Sequence, residues 1–139
     1  MPLIVYLDEI GDHSLDSIDA DFPLFGAIAL VCDEEVYCQQ IVPSIYRFKF
    51  KHFGHEGVVL HSRDIRRGIE DFLFLRGDPN RRQSFYNGLN RIMRDHRYTL
   101  MGMFIEKLKH KQKYGPFARN PYELALESEK HFPDDYQRR

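Results

Sequence analysis

The sequence predicts an α/β protein in which a mixed sheet of about three or more strands is flanked by helices. Residues 2–8, 24–32 and 98–107 are apolar runs typical of strands, and the segments between them carry apolar residues at helical spacing. The chain has 139 residues, of which 42% are hydrophobic and 14% aromatic. This composition excludes a mainly disordered chain, and the length predicts one domain covering residues 1–139.

The first predicted strand, residues 2–8, orients the acids at its end. Period-2 alternation places Tyr6 and Asp8 on one face and Leu7 and Glu9 on the other. After a polar connection, "LFGAIALVC" at residues 24–32 is the second, centrally buried strand. Because consecutive strands most simply pair antiparallel, we expect these two strands to be antiparallel neighbours.

Two long helices are predicted in the middle of the chain. Asp33 is a suitable N-cap for the first, and Pro43 should kink or divide it. The second follows the breaker "RGDPN" and starts at Pro79, with Phe85 and His96 on its apolar stripe. We interpret His96 as a hydrogen-bonded core histidine.

The connecting segments are shorter. A short extended segment is predicted at residues 58–61, and a short helix is expected to begin near Ile65. "YTLMGMFIEK" at residues 98–107 is the third strand, and the "LKHKQKYGPFARN" segment after it, residues 108–120, predicts a basic loop.

The C-terminal region predicts one more helix. Asn120 and Pro121 cap and start this helix, which runs through residue 132. Asp134 and Asp135 follow in a tail that we expect to be frayed.

The sequence predicts a cytoplasmic protein. The longest apolar run, residues 24–32, has nine residues, whereas a bilayer span needs roughly 20. The N-terminus lacks the basic and apolar regions of a secretory signal. Cys32 and Cys38 fit reduced thiols in the core better than a disulfide or a zinc site.

Charge is divided unevenly along the chain. Residues 1–46 contain nine Asp or Glu and no Lys or Arg, whereas residues 47–119 contain 17 Lys or Arg and seven Asp or Glu. This pattern indicates a site that concentrates cations beside a surface that attracts polyanions. Alternatively, the basic residues are exposed only for solubility.

Three acids follow one another closely in "YLDEIGD": Asp8, Glu9 and Asp12. Carboxylates at a strand end repel one another unless they are solvated or share a cation, and hard divalent ions prefer oxygen ligands. The pattern suits a metal site. Asp and Gly are also common turn residues, so a simple turn is the alternative.

A second candidate segment is "HSRDIR", residues 61–66. Asp64 could supply an acid from a second element, His61 a ligand or a proton carrier, and Arg63 and Arg66 contacts to phosphate. The alternative is that Ser62 or Asp64 caps the helix that follows.

The densest basic stretch is "KLKHKQK". Its lysines are candidates for contact with nucleic-acid phosphates: Lys107, Lys109, Lys111 and Lys113. The arginines of the helix that starts at Pro79 could bind nucleic acid as well, or could form a solvated face.

The chain resembles the DUF3800 family, a group of mostly uncharacterised bacterial proteins regarded as having a ribonuclease-H-like fold. Four segments carry the resemblance in family order: "YLDEIGD" (6–12), "FGAIAL" (25–30), "FKFKHFGHEGVVLHSRDIRR" (48–67) and "NPYELAL" (120–126). Family members run on past the last segment into strands and helices with further acids. The resemblance therefore implies the N-terminal half of a member, and a missing C-terminal half or a homo-oligomer is expected.

The resemblance also implies a chemistry. In ribonuclease-H-like folds the first strand carries a metal-binding Asp, which corresponds to Asp8, with Glu9 close by and Asp64 as a second site acid. The implied reaction is phosphodiester cleavage dependent on Mg²⁺ or Mn²⁺.

Two functions follow as hypotheses. The first is a divalent-metal-dependent nuclease or phosphodiesterase acting on nucleic acid, with Asp8, Glu9, Asp64 and His61 as catalytic residues. The second is a catalytically incomplete module that binds nucleic acid or a partner protein, or that associates with itself through an apolar face.

Overall fold

The computed structural model describes residues 2–130, which divide into two compact units. One unit contains the described residues up to Glu34 and those from Tyr98 onward, and the other contains residues 35–97. Each unit has its own cluster of buried side chains. The predicted continuation of the last helix to residue 132, and Asp134 and Asp135, lie outside the described residues.

The first unit is built on a three-stranded sheet. Its strands are β1 (Leu3–Ile10), β2 (Leu24–Asp33) and β3 (Thr99–Glu106), in the order β1-β2-β3. Both pairs are antiparallel, so the predicted pairing of the first two strands is confirmed. The predicted mixed sheet is wrong for the described strands. A connection as long as the one between β2 and β3 permits either strand direction, so the sequence did not decide it.

The register determines which side chains share a face. Asp8 lies opposite Ile28, and Glu9 lies opposite Ala27, which in turn lies opposite Met103. Directly opposite residues project to the same side of a sheet, so Glu9 shares a face with Ala27, and Asp8 is on the other face. The predicted alternation of the two acids is confirmed.

Helices complete the first unit after β3. Residues 108–114, predicted as a loop, belong to helix α6 (Lys107–Tyr114), because Lys, Leu and Gln favour a helix and no Gly or Pro occurs before Gly115. A short 3₁₀ turn, Gly115–Phe117, leads to α7 (Pro121–Glu129). The side chain of Asn120 accepts a hydrogen bond from the Tyr122 amide at 2.8 Å, which confirms the predicted cap.

The helical run after β2 differs from the prediction at its start. Asp33 pairs with Leu3 as the last residue of β2 and is not an N-cap. A short helix, α1 (Glu34–Val36), continues through a π-helical segment, Tyr37–Ile41, into α2 (Val42–Phe53). Pro43 lies in the first turn of α2, so the predicted division of the helix near this residue is confirmed.

The rest of the second unit consists of helices. They are α3 (Ser62–Arg67), a 3₁₀ turn (Glu70–Phe72), α4 (Phe74–Gly77) and α5 (Pro79–Asp95). The Asp78 side chain accepts a hydrogen bond from the Arg81 amide at 2.9 Å and caps α5, whose predicted start at Pro79 is confirmed. Residues 58–61 form no strand, and Val58 is buried in the core.

Phenylalanines dominate the core of the second unit. Phe85 is fully buried, and the centroid of its ring lies 5.0 Å from that of Phe48, 5.9 Å from Phe72 and 5.7 Å from Phe74. Such tilted and edge-to-face pairs add to the free energy gained by burial. Phe85 is thus the residue on which α2, α4 and α5 converge.

The cysteines and His96 also have defined places. Cys32 is buried, as predicted, but Cys38 is exposed on the π-helical segment, and the two do not form a disulfide with each other. His96 is half-buried, with Nδ1 2.8 Å from the Ile92 carbonyl oxygen and Nε2 2.9 Å from Ser44 Oγ. Its interpretation as a hydrogen-bonded histidine is confirmed.

His52 is the buried polar group of this core. Its ring lies against Phe48 and Phe85, at centroid distances of 4.6 and 5.4 Å. Burial lowers the pKa of His52 below its ordinary value, and the charges of Lys51 and Arg81 lower it further. The ring is therefore neutral in the folded protein at neutral pH.

The helices are too short or too polar to act as membrane spans. Within residues 2–130, none combines the length and the apolar character that a bilayer crossing requires.

We expect Phe85→Ala to lower the free energy of unfolding by roughly 3–5 kcal/mol, because it leaves a cavity among several rings. Urea denaturation measures this change. Leu73→Ala, at a position that is 61% exposed, is the control and should change the free energy by less than about 0.5 kcal/mol. Equal effects of the two substitutions would contradict the assigned core.

The lowered pKa of His52 predicts a loss of stability in acid. The unfolded chain binds a proton at this residue below pH 6.5, whereas the folded protein does so only at a lower pH. The free energy of unfolding therefore falls as the pH decreases from 6.5 to the folded-state pKa of His52, by at most about 1.4 kcal/mol per pH unit. Below the folded-state pKa, the contribution of His52 no longer changes with pH.

Urea denaturation between about pH 5 and pH 8 tests this expectation. His52→Phe should flatten the pH dependence, and His55→Gln, at an exposed histidine, should leave it unchanged. An unchanged slope in His52→Phe would contradict the assignment.

Candidate active site

A groove of about 510 Å³ opens beside the end of β1, within the first unit. β1 and the turn after it, β2 and α7 supply its walls. The lining residues are Leu7, Asp8, Glu9, Gly11, Ala27, Tyr122, Ala125 and Leu126. Two acids that the sequence singles out, Asp8 and Glu9, therefore lie in one concave site.

Small residues create the space for this groove. Ala27 lies opposite Glu9 in the sheet, and Ala125 of α7 packs over the same face beside Phe25. Larger side chains at Ala27 or Ala125 would fill the volume next to the Glu9 carboxylate. No local sequence pattern marks Ala27, Tyr122 or Ala125 as site residues, because only the packing of α7 on the sheet brings them to the acids.

The two carboxylates differ in their surroundings. Asp8 Oδ1 accepts a hydrogen bond from the Glu9 backbone amide at 2.9 Å, which holds the Asp8 side chain close to the strand. The Glu9 carboxylate forms no ion pair with a described residue. Both residues are exposed; the Glu9 side chain projects from the face that carries Ala27, whereas the Asp8 side chain projects from the opposite face of the same strand.

The turn after β1 depends on Gly11. Its φ is +83°, and a Cβ atom at this position would lie 2.4 Å from the Leu24 carbonyl oxygen. Only glycine fits this close approach without a shift of the backbone. The turn therefore fixes where β1 ends and where the acids lie.

Asp12, the third acid of the cluster, has a structural role. Its carboxylate accepts a hydrogen bond from the Ser14 amide at 3.1 Å, and its carbonyl oxygen accepts one from Lys107 Nζ at 2.7 Å. The turn interpretation thus holds for Asp12. The neighbouring His13 ring packs against Tyr122, a residue of the groove, with 5.9 Å between centroids.

An ion pair connects α7 to the segment before it. Arg119 donates two hydrogen bonds to the Glu127 carboxylate, at 3.0 and 2.7 Å. The bonds and charge of Arg119 lower the pKa of Glu127. Because the pair is exposed, its main effect is to orient this segment, and its contribution to stability is small.

Two of the four candidate lysines hold the chain after β1. Lys107 is buried, and Lys111 Nζ donates to the Leu15 carbonyl oxygen at 2.8 Å. The prediction that Lys107 contacts phosphate at the surface is therefore wrong, because its ammonium group is enclosed at the Asp12 carbonyl. Lys109 pairs with Glu106 at 2.6 Å, and Lys113 lies over the Tyr114 ring.

His61 and Asp64 lie in the second unit and contact each other. His61 is the N-cap residue of α3 and Asp64 is in its first turn, with 3.3 Å between Nδ1 and a carboxylate oxygen. Neither Ser62 nor Asp64 caps the helix with a side-chain hydrogen bond, so the capping interpretation is wrong. The two arginines of the segment, Arg63 and Arg66, are exposed on α3.

The ligand set for a metal is incomplete in the described part of the chain. Among residues 2–130, no group of three or more His, Cys, Asp or Glu side chains is arranged to hold a metal ion. Asp8 and Glu9, which both line the groove, therefore form only part of a metal ligand set.

Comparison of the chain with protein-family models, with curated proteins and with solved structures gives no match. The site must therefore be interpreted from its own chemistry.

The close approach at Gly11 predicts a loss of stability in Gly11→Ala. The new Cβ would meet the Leu24 carbonyl, and the alanine backbone would have to keep a positive φ. We therefore expect a decrease of at least about 1 kcal/mol in the free energy of unfolding. The matched control is Gly77→Ala, where a Cβ meets nothing within 4 Å. Thermal or urea denaturation compares the two variants, and equal stability would contradict the constraint.

Proposed function

We propose that this protein is a divalent-metal-dependent nuclease or related phosphodiesterase of the cytoplasm, acting on nucleic acid. The observation that carries the proposal is that Asp8 and Glu9, at the end of β1, both line one open groove on an antiparallel sheet. A metal-binding Asp on the first strand is what the resemblance to the DUF3800 family implies. Asp8 lies on the first strand, which supports this proposal.

The carboxylates suit Mg²⁺ or Mn²⁺ as part of a ligand set. Mg²⁺ keeps several waters and is commonly bound by one or two carboxylates together with substrate phosphates. Asp8 retains an oxygen that the Glu9 amide does not bind, and Glu9 has no ion pair among the described residues. When bound, such an ion would activate water and offset the negative charge of the phosphodiester.

Residues of the second unit have assigned roles in this proposal. Within that unit, Asp64 is the proposed acid, and His61, 3.3 Å from it, is the proposed ligand or proton carrier. Arg63 and Arg66 are exposed and contact phosphates. Lys109 and Lys113 of the basic stretch are the proposed further phosphate contacts, because their side chains are exposed and, among the described residues, donate no hydrogen bond to a backbone carbonyl.

A second candidate is a catalytically incomplete module that binds nucleic acid or protein. The observation in its favour is that residues 2–130 contain no group of three metal-binding side chains. The face of the sheet that carries Asp8 is the candidate surface for self-association. Leu100 and Phe104, on this face, are 57% and 58% exposed.

Asp8→Asn and Glu9→Gln test the proposed metal site. Each substitution removes a charged oxygen ligand, so we expect at least about tenfold weaker binding of Mn²⁺, measured by calorimetry, and a matching loss of cleavage of labelled RNA or DNA. Asp16→Asn is the control, since Asp16 is exposed in the loop after β1 and does not line the groove.

The outcomes separate the two candidates. If millimolar Mg²⁺ or Mn²⁺ neither binds nor supports cleavage in the unmodified protein, the nuclease proposal is wrong. Binding of RNA or DNA that weakens as the salt concentration rises, without cleavage, supports the binding module.

A further inference from the structure

A second concave site lies within the second unit, between α2 and α5. This α2–α5 groove has a volume of about 360 Å³. Its lining residues are Ser44, Arg47, Phe48, Lys51, His52, Gly88, Arg91, Ile92, Asp95 and His96. None of the residues assigned to the nuclease proposal belongs to it.

The lining carries an excess of positive charge. Arg47 and Lys51 lie one turn apart on α2, Arg91 lies on α5, and none of the three pairs with a described acid. The acid of the lining, Asp95, bonds to Arg94 at 2.8 Å. Its charge is thus offset by a residue outside the lining, and the three cations remain available to an anion.

A chain of hydrogen bonds orients Arg47. The His96 ring must carry hydrogen on Nδ1, because its partner, the Ile92 carbonyl at 2.8 Å, can only accept. In neutral His96, Nε2 then accepts from the Ser44 hydroxyl at 2.9 Å, and Ser44 Oγ accepts from Arg47 NH2 at 3.1 Å. The guanidinium is therefore held at the groove with its other N–H donors available.

The wall of the groove also contains an unpaired polar atom. Nε2 of His52 is buried and has no hydrogen-bond partner among residues 2–130. Position 88 of α5 is glycine, where a Cβ would lie 2.9 Å from the Phe48 ring and at an ordinary contact distance of 3.6 Å from this nitrogen. Since an unpaired buried polar group costs free energy, packing alone does not account for a histidine here.

We propose that the α2–α5 groove binds a phosphate monoester. A terminal phosphate carries nearly two negative charges and three acceptor oxygens, which suits one Lys and two Arg side chains around a small concavity. The volume lies at the low end for ligand sites and accommodates one terminal phosphate with part of its substituent, rather than an extended backbone. The phosphate would belong to a small phosphorylated molecule or to the 5′ end of a nucleic acid.

A binding titration with three probes tests this proposal: a nucleoside 5′-monophosphate, a short 5′-phosphorylated oligonucleotide and the same oligonucleotide with a 5′-hydroxyl. Calorimetry in the presence of a chelator excludes any contribution of divalent ions at Asp8 and Glu9. We expect the 5′-hydroxyl probe to bind at least about tenfold more weakly than its phosphorylated counterpart. Equal binding of the two oligonucleotides would overturn the proposal.

Two variants with a matched control locate the site. Arg91→Gln and Lys51→Gln should each weaken binding of the phosphorylated probes about tenfold. Arg82→Gln removes the same charge from α5 at an exposed position outside the groove, and should change binding by less than about twofold. If Arg82→Gln weakens binding as much as Arg91→Gln, the attraction is general to the basic surface and the proposal is wrong.

The same titration distinguishes the sources of the phosphate. Equal affinity for the monophosphate and the phosphorylated oligonucleotide supports a small molecule, and tighter binding of the oligonucleotide supports a nucleic-acid end.

Discussion

The candidate active site depends on the antiparallel register between β1 and β2. This pairing places Glu9 opposite Ala27 and Asp8 opposite Ile28. A slip of one residue would exchange the faces on which the two acids lie. The register also determines that the small Ala27 lies beneath α7, where Ala125 covers it and leaves room for the groove. The chemistry proposed for Asp8 and Glu9 therefore follows from a backbone arrangement that neither acid determines.

Local pattern was sufficient to predict much of this fold. The alternation in β1, the apolar run in β2 and the start of α5 at Pro79 are each encoded within a few residues, and these predictions are confirmed. The direction of β3, the burial of Lys107 and the contact between Ser44 and His96 depend on residues far apart in the chain. No local pattern carries that information, so the candidate site was predicted as a set of residues, Asp8, Glu9, Asp64 and His61, without its groove.

The structure shows which of the basic residues in the second part of the sequence have their charge exposed and which are bonded to the backbone. A lysine counts equally in the sequence whether it lies at the surface or, like Lys107, is enclosed against a carbonyl. Lys111 is likewise bonded to a carbonyl, so part of the basic stretch stabilises the acidic segment after β1. Uncompensated positive charge lies instead in the α2–α5 groove, at Arg47, Lys51 and Arg91.

The position of β1 in the sheet gives its acids a further consequence. Among the described strands β1 is an edge strand, so one side of its backbone offers unpaired amide and carbonyl groups to another chain. Charged side chains on an edge strand oppose such pairing, because two copies aligned in this way would bring like charges together. The negative charges of Asp8 and Glu9 thus oppose edge-to-edge pairing of two copies of β1.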